Sequence, residues 1–213
     1  MRPVVFAGLS IAEEEAAKIL DADYRPPVRR GDLLDLPKGT RTVGIIDGVI
    51  LSDAAVGHRE ILDVMRSGIT VIGGGSMGAL RGAELKDFGM IGVGSVYEEY
   101  ASGRVEGDDE VLLAYDPSTH APLSVPLINL RLNLRKAVEH GVLDAGKAEG
   151  ILRDLKRQFY PVRSYDLMLD IARRTLPEEE SARFEKFEKT QFEDFKKKDA
   201  LLVLMAVKKM DQK

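Results

Sequence analysis

The chain has no cysteine among its 213 residues. That absence removes disulfides, iron–sulfur clusters, thiolate zinc sites and a cysteine nucleophile. Histidine is scarce as well: His58, His120 and His140 are the only three. A metal centre built on several imidazoles is therefore not expected, and no cofactor is expected either. No run of 18 apolar residues occurs, which predicts no membrane span. Met1-Arg2 leads into a short strand-like segment and then into acids, unlike a signal peptide. Charge of one sign is also missing. Lys and Arg number 31 against 35 Asp and Glu, a net charge of -4. That balance argues against a nucleic-acid protein, which concentrates basic residues on one surface. A cytoplasmic location is expected.

What is present suits a packed core. The chain is 44% hydrophobic, enough for one medium domain or an α/β domain with a smaller helical one. Pro3 to Gly8 reads as a buried strand, followed by Ser10 as an N-cap and a helix over Ala12 to Leu20. Tyr24-Arg25-Pro26-Pro27-Val28 reads as a stiff extended stretch, because proline fixes φ and biases the residue before it. Gly31-Asp32 opens a short helical turn. Further strands are expected at Thr42 to Gly48, Gly68 to Gly73 and Met90 to Gly94. Helices are expected at Gly57 to Ser67, Met77 to Phe88 and Val96 to Ser102. This alternation predicts the α/β class, a parallel helix-flanked sheet.

After about Pro126 the texture changes to a C-terminal helical region. Leu127 to His140, Asp144 to Phe159, Ser164 to Arg174 and Glu178 to Met210 read as helices, punctuated by Gly141, Pro161 and Pro177. The expected division is an α/β core over 1–125 and a helical region over 126–213. Phe184, Phe187, Phe192 and Phe195 with Leu201, Leu202 and Leu204 supply an apolar stripe. The charges between them read as a solvated face, with partner docking as the other reading.

The most informative segment is Val71-Ile72-Gly73-Gly74-Gly75-Ser76-Met77-Gly78-Ala79-Leu80-Arg81, which passes from a strand through glycines into a helix. Gly74-x-Ser76-x-Gly78 fits the nucleophile elbow G-x-S-x-G, with the Met77 N–H as oxyanion donor. Gly73-x-Gly75-x-x-Gly78 also fits the dinucleotide fingerprint. That second reading fails because the motif follows the third strand and no acid ends the next one. A third reading is an anion cradle of Gly75 and Met77 backbone N–H groups with Ser76 and Arg81. The fourth is a tight turn with Ser76 as an ordinary N-cap. Spacing alone leaves the elbow, the cradle and the cap open.

His58, near the start of its helix, lies at the same sheet edge and is the candidate base. Asp47 and Glu60 are candidate acids to orient it. Glu84 lies eight residues past Ser76 and three past Arg81, so a simple pairing with Arg81 is also expected. Tyr24 is a candidate substrate contact. Asp108-Asp109-Glu110 reads as a capping or solvated turn rather than a three-carboxylate metal site.

Several segments together resemble TfuA-like proteins. They are Val5-Phe6-Ala7-Gly8-Leu9-Ser10, the Tyr24 to Val28 stretch with Gly31-Asp32, Ile45-Ile46-Asp47-Gly48 and His58-Arg59-Glu60-Ile61-Leu62. The most specific is Gly75-Ser76-Met77-Gly78-Ala79-Leu80-Arg81-Gly82-Ala83-Glu84-Leu85, followed by Phe88-Gly89-Met90, Gly92-Val93-Gly94 and Asp108-Asp109-Glu110-Val111. Leu130-Arg131, Leu134-Arg135 and Phe159-Tyr160-Pro161 extend the likeness into the helical half. Gly74 and Gly82 stand where the family commonly has alanine, and both keep a small residue.

The resemblance implies partnership with a YcaO-type enzyme in peptide backbone thioamidation. The YcaO partner would bring the ATP chemistry and the peptide or protein substrate. The targets in such systems are ribosomally made peptides or, in methanogens, methyl-coenzyme M reductase. Abundant Lys and Glu without cysteine suit an archaeal or thermophilic host. Joined to the elbow, the resemblance implies a serine-type hydrolase that releases sulfide from a thiocarboxylated, ThiS-like sulfur-carrier protein. Its alternative is a non-catalytic adaptor that recruits or activates YcaO.

Overall fold

A computed structural model describes residues 2–50, 54–116, 118–119 and 121–212. His120 lies outside them. Contacts group Met1–Asp108 with Phe195–Lys213 as one compact unit and Asp109–Asp194 as another.

The first unit is built on five strands: Val4–Phe6 (β1), Asp23–Arg25 (β2), Thr42–Ile45 (β3), Thr70–Gly73 (β4) and Ile91–Gly92 (β5). All pair in parallel in the order β2-β1-β3-β4-β5. β1 and β3 are buried along their whole length, as strands covered on both faces must be. The connections carry short helices at Glu13–Ala16 (α1), His58–Arg66 (α2), Met77–Glu84 (α3) and Ser95–Ala101 (α4). The α/β class is as the alternation predicts. The stretch read only as stiff and extended contributes β2. Its three residues pair with β1 at the sheet margin, and Pro26-Pro27 end the strand because proline has no N–H for the ladder. Asp32–Asp35 forms the expected helical turn.

Residues 178–210, expected to be continuously helical, form two helices, Glu178–Gln191 (α8) and Phe195–Asp211 (α9). The break has a visible cause. The buried Asn133 amide pairs with the backbone of Glu193, accepting from its N–H at 2.9 Å and donating to its carbonyl at 2.8 Å. These bonds replace helix ladder bonds that a continuous helix would make. The expected single apolar stripe is split accordingly. Phe184, Phe187 and Phe192 pack in the helical unit. Ala200, Val203, Leu204 and Val207 pack with Val5, Ile46 and Ile72 in the α/β unit. The contact division therefore differs from a cut at 125/126, because α9 buries its apolar stripe on the sheet.

The second unit contains Leu127–Glu139 (α5), Ala145–Lys156 (α6), Tyr165–Thr175 (α7) and α8. Leu127, Leu130, Leu134, Ile151, Leu155 and Met168 are central to its core. Asp144 and Ser164 cap α6 and α7 by accepting from the N–H groups of Lys147 and Leu167. The Lys147 N–H bond is also the main reason the Asp144 carboxyl is held below its ordinary value. No helix among the described residues is long and apolar enough to cross a membrane.

Candidate functional site

Parallel sheets place binding groups beyond the carboxyl ends of their strands, above all where the strand order reverses. Here that reversal lies between β1 and β3. Asp47, just past β3, fills it. Its Oδ2 accepts from the N–H groups of Gly8, Leu9 and Ser10 at 3.0, 3.0 and 2.8 Å, and its Oδ1 accepts from the Ser10 hydroxyl at 2.6 Å. Both Asp47 and Ser10 are buried. Asp47 is thus spent on organising the loop after β1 rather than on orienting His58, and Ser10 serves as its donor.

The Ser76 turn follows β4, the next strand. The N–H groups of Gly74 and Gly78 donate to the carbonyls of Ile45 and Ile46 at 3.2 Å each, which ties the turn to the end of β3. α3 lies so close to the strand that a Cβ on Gly78 would collide with the Ile45 carbonyl. Gly75 takes the left-handed conformation that reverses the chain, with φ +74°. Ser76 itself keeps a negative φ of -137°.

Ser76 occupies the N-cap position of α3, yet its side chain makes no capping bond. Its carbonyl accepts from the N–H groups of Ala79 and Leu80. Among the described residues no hydrogen bond engages its hydroxyl, although the residue is only 4% exposed. The N–H of Met77 likewise has no backbone acceptor among the described residues. A hydroxyl and an N–H at a helix start, both unused internally, can engage a carbonyl or an anion. The Met77 side chain is buried against Gly48.

His58, Arg81 and Glu84 come together as a group of their own. The His58 Nε2 lies 2.8 Å from Glu84 Oε2, which also accepts from Arg81. Arg81 donates in addition to the Val56 carbonyl at 3.1 Å and so holds the segment before α2 against α3. Glu84 is eight residues along the chain from Ser76, about 12 Å of axial rise on a helix. The structure supplies an acid for His58, but it is Glu84 rather than Asp47 or Glu60, and no hydrogen bond joins His58 to Ser76. Glu60 accepts instead from the Gly57 N–H at 3.1 Å and the Gly31 N–H at 2.6 Å, securing the start of α2 and the loop after β2.

Tyr24 is not brought to the turn. It lies in the middle of β2, and its hydroxyl donates to the Leu20 carbonyl at 2.8 Å. Burial, reinforced by the charges of Glu13 and Asp21, pushes that hydroxyl up to about 12.

In the Asp108-Asp109-Glu110 segment, Asp109 pairs with Arg163 at 3.0 Å. Glu110 is fully buried and accepts from two nitrogens of Arg131, with Lys156 at 3.5 Å. Asp109 and Glu110 are therefore committed to ion pairs inside the helical unit. No group of three or more His, Cys, Asp and Glu side chains suited to a metal occurs among the described residues.

The sequence reading missed two charged residues on α9. Lys196 is 3% exposed, and its carbonyl oxygen lies 3.1 Å from where a Gly75 Cβ would stand. Asp199 is buried one turn further on and accepts from the N–H groups of Ser95 and Val96 at 2.9 and 2.7 Å, anchoring α9 to the start of α4. Burial pushes the Asp199 carboxyl up to about 6 even though both N–H donors favour its charge. The signal for Lys196 was its place on the apolar stripe. Residues 196, 200, 203 and 207 recur at helical spacing, and a lysine there is anomalous.

No protein of curated function matches the chain. A family model described as TfuA-like protein matches residues 47–164, more than half of the sequence. The matched span runs from the buried Asp47 through the Ser76 turn into the helical unit. With the parallel sheet, the glycine–serine turn and this match in hand, the chain belongs to the TfuA-like protein family.

Proposed function

We propose that this protein serves a YcaO-type enzyme in peptide backbone thioamidation by releasing sulfide from a thiocarboxylated, ThiS-like carrier protein. The observation that carries this reading is the pairing of an uncommitted Ser76 hydroxyl with an unused Met77 N–H at the carboxyl edge of the sheet. Family membership supports the YcaO connection.

In this mechanism the Ser76 oxygen bonds to the thiocarboxylate carbon of the carrier's C-terminus. The Met77 N–H holds the developing oxyanion, a contact of the kind worth ~3 kcal/mol. The carbon–sulfur bond then breaks, and sulfide departs carrying the serine proton. Water cleaves the Ser76 ester, regenerating the hydroxyl and leaving the carrier as a carboxylate. Without cysteine the chain cannot hold the sulfur as a persulfide, so direct release is the chemistry open to it. Arg81 and Glu84, with His58, form a charged rim for the carrier's tail.

Sulfide release from the thiocarboxylated carrier, measured with and without YcaO, tests the reading. Ser76→Ala is expected to fold and to lose release. A folded Ser76→Ala protein that releases sulfide at the wild-type rate would remove Ser76 from the chemistry.

A second reading, a non-catalytic adaptor, is favoured by the burial of Ser76 and by the engagement of His58 with Glu84. It predicts that Ser76→Ala still supports YcaO activation, while disruption of the 109–194 unit abolishes it.

A further inference from the structure

The Phe159-Tyr160-Pro161 run carries part of the family likeness, yet the chemistry at Ser76 makes no use of it. It lies in the turn between α6 and α7 of the helical unit. Phe159 is 70% exposed there and Val162 57%. A single apolar side chain in water is ordinary, but several held together mark an interaction surface.

A buried arginine fixes this turn. Arg163 is 3% exposed, and its guanidinium bonds to the chain around it. Its Nε donates to the Gln158 carbonyl at 3.1 Å and its Nη1 to the Asp109 carbonyl at 3.2 Å. Its Nη2 donates to the Asp109 carboxylate at 3.0 Å and to the Lys156 carbonyl at 3.4 Å. Tyr160–Val162 forms a 3-10 turn in which Pro161 has its φ set by its own ring. The Phe159 and Tyr160 rings meet edge to face, with centroids 4.8 Å apart. The Arg163 carbonyl accepts from the Val125 N–H at 2.8 Å, which brings the segment of Leu123, itself 64% exposed, alongside the turn. The rigid backbone thus presents apolar side chains to solvent in a set arrangement. Side chains ordered in advance lose little freedom on binding, which is the property of an interface anchor.

The chain leading into the turn is basic. Arg153, Lys156 and Arg157 are exposed at the end of α6. The acid among them, Asp154, reaches Arg157 at 3.4 Å, and Lys156 stands 3.5 Å from Glu110. The Arg153 side chain has no hydrogen bond or ion pair among the described residues. An apolar centre with a basic flank complements an apolar surface edged with Asp or Glu. A second copy fits poorly, because a two-fold contact here would set the same three cations of both copies against each other. An anionic lipid surface attracts cations and aromatics, but it does not require a ring pair held in one geometry by a buried arginine.

We infer that this turn is the docking surface for a protein partner, with Phe159 and Val162 as apolar anchors and Arg153 and Arg157 steering the partner's acidic edge onto them. Within the proposed function that partner is the YcaO-type enzyme. The inference rests on that partnership but not on the chemistry of Ser76. The surface belongs wholly to the helical unit, so docking there draws on no residue assigned to the carrier's tail. The family-matched span of 47–164 includes the turn.

The test measures binding of the full chain to purified YcaO-type enzyme, with sulfide release from the thiocarboxylated carrier followed in parallel without YcaO. Phe159→Ser is expected to weaken YcaO binding at least about 30-fold, the scale of an interface hot spot, and Val162→Ser about fivefold. Arg153→Glu is expected to slow association about tenfold and to reduce its dependence on salt. All three side chains lie in water, so melting temperatures and YcaO-independent sulfide release are expected to stay at wild-type values. Leu34→Ser removes an exposed apolar side chain from the α/β unit and is expected to bind YcaO as the wild type does. Binding by a folded Phe159→Ser within about threefold of wild type, or an equal loss in Leu34→Ser, overturns the inference while the partnership stands. Loss of YcaO-independent sulfide release in Phe159→Ser also overturns it and assigns the surface to the carrier. Phe159-dependent binding to phosphatidylglycerol vesicles, or a dimer in sedimentation that Phe159→Ser dissolves, overturns it in favour of a membrane or a second copy if YcaO binding is unchanged. No binding of wild type to YcaO overturns the partnership first and the inference with it.

Discussion

Two neighbouring loops at the carboxyl edge of one sheet use buried polar residues in opposite ways. After β3, Asp47 is 1% exposed and each of its oxygens is engaged, with three backbone N–H groups and one hydroxyl donating to it. After β4, Ser76 is 4% exposed and its hydroxyl makes no capping bond. Burial treats the two residues alike, whereas hydrogen-bond completeness separates them. A buried polar group that the fold satisfies holds the fold together. One whose hydroxyl makes no capping bond, beside an unused N–H, is the better candidate for chemistry.

The comparison is most severely strained by Gly78→Ala. The new Cβ would meet the Ile45 carbonyl, part of the strand backbone, which cannot move aside as a flexible side chain can. A loss of stability on the order of 4 kcal/mol is expected, read as a large drop in melting temperature or as failure to fold. Asp47→Ala comes next. It orphans the N–H groups of Gly8, Leu9 and Ser10, and a loss of about 3 kcal/mol is expected in denaturant melts. Should Asp47→Ala be nearly neutral, the contrast between a structural and a functional loop fails.

Asp199 offers a third test through pH. Burial places its carboxyl at about 6 in the folded protein, above the ordinary 3.8. The folded state therefore holds this proton more tightly than the unfolded chain does. The stability this gives is fully present below pH 3.8 and is lost as pH rises through about 6. Wild type is expected to gain about 1 kcal/mol over Asp199→Asn between pH 7 and pH 5. Paired denaturant melts at the two pH values measure it. An opposite slope would mean that the Ser95 and Val96 N–H groups outweigh burial. The smallest effect on stability belongs to Ser76→Ala, expected to lie within about 0.5 kcal/mol because no internal hydrogen bond is removed. The same variant carries the largest expected effect on sulfide release, and that divergence is the sharpest form of the contrast.

Much of the sheet was legible because buried parallel strands are short, nearly continuous apolar runs. Val4-Val5-Phe6 and Thr42 to Ile45 show this directly. β2 was harder to see, since a marginal strand of three half-buried residues beside two prolines carries little pattern of its own. Ser76 was legible through its glycines. Its surroundings were less so. Asp47 and Glu60 looked like acids available to a base because sequence shows proximity to a strand end but not whether a carboxylate is already bonded. Tyr24 lies in a stretch quoted for its family likeness, yet its hydroxyl turns to the Leu20 carbonyl.

The sequence by itself determined the α/β class, the glycine turn that places Ser76 at a helix start, and the family likeness. These rest on local chain geometry and on apolar periodicity, which act over a few residues. Only the tertiary structure decided what surrounds Ser76. Asn133 breaks the C-terminal helical stretch through the backbone of Glu193, and Asp199 anchors α9 to the start of α4. Those bonds join residues 60 to 104 positions apart, a separation at which periodicity and propensity carry no information. The partnership between Gly75 and Lys196 is of the same kind, because it exists only once α9 has packed on the sheet.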